Sequence, residues 1–131
     1  MDPALKAIED DIRTACDVDK ALPPVFKQRY RCPLGSMVKP ELKELQDAIF
    51  NNGESFVVTP AVHDIWWKVV SSWIPKLHIS TQKIVWWRCS GMRWKRISQE
   101  LVEKELASTY FHRSTLYRYF IAGLEKIEQI T

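Results

Sequence analysis

Between Thr59 and Pro75, the side chains of Val62, Ile65, Trp66, Val69, Val70 and Trp73 recur in steps of three and four residues. An α-helix returns to one face at that interval, whereas a strand would scatter the same residues over both of its sides. Thr59-Pro60 opens the segment with a capping hydroxyl followed by a residue whose fixed φ suits the first helical turn, and Pro75 closes it. This helix is the expected backbone of the core. The same interval predicts a helix from Pro3, capped by Asp2, to about Val18, with Leu5, Ile8, Ile12 and Ala15/Cys16 inward. It predicts a second from Pro40 to the Asn51-Asn52-Gly53 stop, and a third from Thr81 to about Cys89, capped by Ser80 and stopped by Gly91. Trp94 to about Leu106 follows, carrying Ile97, Leu101 and Val102, and a last helix begins near Ser114 with Leu116, Phe120, Leu124 and Ile127 on one face. Phe56 to Val58 is a short extended piece, and no segment sustains alternation at period two. The expected fold class is all-α, five or six helices with little or no strand.

A chain of 131 residues with 46% hydrophobic side chains, four Gly and seven Pro has the length and composition of one globular domain. Residues 1–78 read as an N-terminal helical part and 79–131 as a C-terminal part. No apolar run approaches the ~18 residues that span a bilayer, and the acidic start from Met1 to Asp11 is unlike a secretory signal, so no membrane partner and a cytoplasmic location are expected. Leu22 to Lys39, with Pro23, Pro24, Pro33 and Gly35, reads as an extended connector, in which Arg29, Tyr30 and Arg31 are candidates for contact with a phosphate backbone, although a solvated loop is the simpler reading. Cys16, Cys32 and Cys89 with His63, His78 and His112 match no metal-ligand or redox spacing, and the cysteines read as buried thiols in a reducing compartment. No cofactor, metal or small-molecule ligand is expected. The chain also lacks a phosphate-binding glycine loop, a His-Glu helix motif and a nucleophile elbow, so it does not read as an enzyme.

Charge is distributed unevenly. Residues 1–60 hold eight basic and ten acidic side chains, a net of −2, and residues 61–131 hold eleven and six, a net of +5. An anionic partner is therefore expected at the C-terminal half. Arg93, Lys95 and Arg96 cluster at the start of a predicted helix, where positive charge opposes the helix dipole, so the cluster does not serve helix stability. The last helix opens Arg113-Ser114-Thr115-Leu116-Tyr117-Arg118, leaving Thr115, Tyr117 and Arg118 opposite its apolar face. A short helix, a basic-start helix, a connector and a polar-start helix form the layout of a helix-turn-helix, whose second helix enters the major groove while the first crosses the backbone. Arg can bond guanine bidentately, Ser and Thr can bond base or phosphate, and Tyr can pack on sugar or a thymine methyl.

Over these residues, "CSGMRWKRISQEL" and "HRSTLYRYFIAGLEKI", the chain resembles the helix-turn-helix of sigma-factor region 4. It resembles more closely a family of small uncharacterised alphaproteobacterial and prophage proteins, a likeness that extends through "LPPVFKQRYRC" and "TPAVHDIWWKVVSSWIPKL". The resemblance implies binding of double-stranded DNA, with Arg113, Ser114, Thr115, Tyr117 and Arg118 at recognition-helix positions and Arg93, Lys95 and Arg96 on the helix before. A bacterial or prophage transcriptional regulator acting as a homodimer is the expectation that follows. The alternatives are a small-terminase-like DNA-packaging subunit and a protein-interaction module.

The chain departs from that pattern between the two helices, where Val102 to His112 supplies eleven residues and no glycine. Either the first helix continues for about two turns or a loop is inserted. Glu103 and Glu105 would repel phosphate, so the insertion is expected to point away from DNA, with Leu106, Tyr110 and Phe111 folded onto the protein or a second subunit. His112 also stands where the family has a serine cap, and Tyr119 where it has a basic residue. Among six tryptophans, Trp66 and Trp73 lie on the core stripe, while Trp67 and the outward member of Trp86/Trp87 read as exposed interface aromatics.

Overall fold

In a computed structural model of the protein, residues 1–28 and 38–131 are described. They form seven α-helices: α1 (Pro3–Ala21), α2 (Pro24–Gln28), α3 (Leu42–Asn51), α4 (Pro60–Lys68), α5 (Ile79–Cys89), α6 (Trp94–Glu103) and α7 (Arg113–Ile130). Among the described residues there is no strand, and the fold is all-α. Arg29, Tyr30, Arg31 and Cys32 lie outside the described residues.

The helix boundaries follow their caps. Asp2 accepts the Ala4 amide at 2.7 Å ahead of Pro3, and Thr59 accepts the Val62 amide at 3.2 Å ahead of Pro60, each satisfying an amide that has no partner within its helix. α3 begins two residues later than its proline suggests, with Glu41 as N-cap, and the Pro40 carbonyl accepts from the ring Nε2–H of buried His63 at 2.8 Å. Gly53, at φ +81°, ends α3 in the left-handed region. α5 is capped by His78, whose Nδ1 accepts the Ser80 amide at 3.3 Å; Ser80, the expected cap, lies inside the first turn. Part of the expected extended connector is α2, which starts at Pro24, the helical position that tolerates proline best.

After α4 the helix widens into a π turn over Val69–Trp73, then tightens into a 3-10 turn over Ile74–Lys76. Pro75 accounts for this. It has no N–H for the Ser71 carbonyl and its ring would collide there, so the Ile74 amide reaches back five residues to Val69.

α1, and not α4 as the sequence suggests, occupies the centre. It packs against α4, the π turn, α5 and α7. Leu5, Ile8, Ile12, Ala15 and Val18 are buried in one cluster with Trp66, Val69 and Trp73, and with Leu116, Phe120, Leu124 and Ile127 of α7. Polar ties fix the periphery: Gln46 of α3 bonds both the Phe56 carbonyl and the Val58 amide, Asn52 bonds the Ala21 carbonyl, and Lys20 bonds the Ser90 carbonyl. Trp67, Trp86 and Trp87 are not exposed; all three are half-buried against the core. Cys16 and Cys89 are buried free thiols, and burial pushes Cys16 up to about 11 and Cys89 higher, so both remain neutral near pH 7.

α5 and α7 meet at Gly123. A Cβ there would lie 2.8 Å from Val85 Cγ2 and 2.9 Å from Thr81 Cγ2, on short, stiff side chains that cannot swing aside. Gly123→Ala therefore sets a helix-propensity gain of up to ~1 kcal/mol against an overpacking cost of ~1–3 kcal/mol. A net loss of stability is expected in chemical denaturation. A variant more stable than the parent would mean that the two helices separate freely.

Candidate nucleic-acid interface

α6 and α7 are held together by an aromatic joint at the start of α6. Trp94, half-buried, meets Phe120 edge-on at 5.9 Å and Tyr117 at 6.2 Å between ring centroids, and the Arg88 guanidinium sits 4.3 Å from the centre of its ring. Arg88 also donates to the Met92 carbonyl at 3.2 Å, bracing the turn between α5 and α6. With Trp94 fixed inward, its neighbours Arg93 and Lys95 stand in solvent, as does Arg96 one position further on. Arg93 is the N-cap of α6 and supplies no capping bond. Arg96 is ion-paired with Glu100 one turn along, whereas Arg93 and Lys95 have no ion pair among the described residues.

The start of α7 is shaped by His112. Its Nδ1 accepts the Ser114 amide at 3.2 Å and lies 2.9 Å from the Ser114 hydroxyl, so imidazole replaces the usual serine or aspartate cap. Leu116 and Phe120 turn inward, which sends Arg113, Ser114 and Arg118 out and leaves Thr115 half-buried. Tyr117 is 44% exposed, its ring edge held by Trp94 and the rest open to solvent. Arg113 and Tyr117 are one turn apart, as are Ser114 and Arg118, so each pair shares a strip of the helix surface. Neither arginine is ion-paired among the described residues, and no acidic residue occurs from Arg113 to Leu124.

Of the eleven-residue insertion, Val102 and Glu103 complete α6 and the remainder, 104–112, is a loop. Glu105 adopts φ +59°, where glycine is usual. The Leu106 amide returns to the Leu101 carbonyl at 2.9 Å and the Glu105 amide to Val102 at 3.1 Å, the paired bonds of a Schellman stop. From there the chain doubles back along α6. The Phe111 amide donates to the hydroxyl of buried Ser98 at 2.9 Å, and Phe111 packs against Tyr119 at 5.9 Å. Leu106 and Phe111 fold onto the protein as expected, but Tyr110 does not: it is 64% exposed. It forms one wall of an open groove of about 610 Å³ whose other sides are Trp94, Lys95 and Gln99 of α6, Phe111, and Arg113 of α7.

The geometry thus brings Lys95 and Arg113 to one groove, with Tyr117 joined to it through Trp94. Arg118 lies farther along α7, and Arg96 is engaged by its own helix. Arg88 and Gln99 are not among the residues the sequence singles out, and Tyr110 is read there only as folded onto the protein or a second subunit. Only Arg88 carried a signal, as a cation just ahead of the Gly91 stop and Trp94. Among the described residues no group of histidine, cysteine or acidic side chains is placed to hold a metal ion, and no helix is long and apolar enough to cross a membrane. The chain matches no family model, and no curated protein or solved structure is significantly similar to it.

Proposed function

We propose that the protein binds double-stranded DNA through α6, the connector and α7, as a bacterial or prophage transcriptional regulator acting in the cytoplasm as a homodimer. The observation that carries this reading is a set of cations with no ion pair among the described residues, Arg93 and Lys95 at the start of α6 and Arg113 and Arg118 in the first two turns of α7, on two helices joined by the Trp94 aromatic contact, with no acidic residue from Arg93 to Gln99 or from Arg113 to Leu124. Support also comes from the resemblance of these residues to the sigma-factor helix-turn-helix. In this reading the first turns of α7 enter the major groove, where Arg113 and Arg118 bond base edges, Ser114 bonds base or phosphate and Tyr117 packs on sugar or a thymine methyl. Arg93 and Lys95 rest on phosphates beside the groove. Arg96, already neutralised by Glu100, contributes less. A second copy doubles the contacts on a two-fold operator.

Two variants separate the roles once a preferred site has been selected from genomic fragments. Lys95→Ala is expected to weaken selected and random duplexes about equally. Arg118→Ala is expected to cost ~1–3 kcal/mol on the selected site and little on random DNA. Losses that do not distinguish the two duplexes for either variant would contradict the assignment of α7 to the groove.

A further inference from the structure

We infer that the loop between α6 and α7 is part of the DNA-contacting surface, with Tyr110 packed against the sugar beside a phosphate held by Lys95, at the edge of the groove that Arg113 enters. The inference rests on the DNA-binding reading and reverses what the acidic character of the loop suggests from sequence. The reason is the loop's path. Its acidic residues, Glu103 and Glu105, lie at the C-terminal end of α6, and the chain then runs back antiparallel to that helix. Leu106 sits at Leu101, Phe111 at Ser98, and Tyr110 beside Trp94 and Lys95. Eight residues of helix at 1.5 Å each put Glu103 about 12 Å from Lys95 along the axis, beyond the ~10 Å over which charge acts in 0.1 M salt.

The end of the loop therefore contributes no negative charge to the groove, and the groove lining holds Lys95 and Arg113 but no carboxylate. Aromatic walls with cations at the rim that have no ion pair among the described residues match the backbone of a duplex, whose sugars offer apolar surface flanked by phosphates. Tyr110 has no aromatic or hydrogen-bonded partner among the described residues, in contrast to Phe111 and Tyr119, which are paired with each other.

The test compares parent, Tyr110→Ala, Tyr110→Phe and Lys95→Ala by fluorescence anisotropy on one labelled duplex over a range of salt, with thermal melts to check that each is folded. Tyr110→Ala is expected to bind about eightfold more weakly, what ~50 Å² of lost apolar contact amounts to, with the salt slope of the parent. Tyr110→Phe should bind nearly as the parent does. Lys95→Ala should lower the slope by about one contact. If Tyr110→Ala binds like the parent while Lys95→Ala is weakened, the loop lies off the DNA and the inference falls alone. If the parent binds no duplex at any salt, the inference falls together with the proposed function.

Discussion

Replacing Trp66 with alanine is expected to lower the free energy of unfolding by ~3–5 kcal/mol, because a fully enclosed indole loses its transfer energy and leaves a cavity. Trp66 is 1% exposed, lies in the central cluster against α1, and stacks on His63 with ring centroids 6.4 Å apart. A domain of this size is stable by only ~5–15 kcal/mol, so the variant should lose a large share of its margin in urea or thermal unfolding. Trp67→Ala should be milder, since that ring is half-buried and the space it vacates opens toward solvent. If Trp67 proved the costlier of the two, the rotation of α4 about its axis would be wrong by one residue.

The faces of α4 and α7 were legible because apolar residues at helical spacing have one way to be buried together. Val69, Trp66 and Trp73, and likewise Leu116, Phe120, Leu124 and Ile127, are all in the core. Where the sequence misleads, a tertiary contact overrides a local signal. Pro40 signals a helix start, yet its carbonyl is occupied by His63, which appears from sequence as one of three scattered histidines. His78 and His112 act as caps in place of serine, a role available to any side chain with an acceptor at the right place. Trp67 and the outward member of Trp86/Trp87 read as exposed because adjacent helical positions face different ways, but rings this large reach the core from a flank.

The candidate site was legible as charges and not as geometry. Arg93, Lys95, Arg113 and Arg118 stand out in one dimension because no local acid offsets them. The pairing of Arg96 with Glu100 follows the i, i+4 rule and was readable in the same way. That Lys95 and Arg113 meet across a groove depends on the loop doubling back, and this turns on Glu105 taking a left-handed conformation that its identity gives no reason to expect.

The central expectation is electrostatic binding of duplex DNA by this face. The direct measurement is the dissociation constant of the unmodified protein for a duplex of about 30 base pairs between 50 and 200 mM salt, by anisotropy or calorimetry. Three to five phosphate contacts by the cations of α6 and α7 give a log-log slope of about −2.7 to −4.5, and so a loss of affinity of roughly 40- to 500-fold over that range. Binding that is absent throughout, or that does not change with salt, would contradict it.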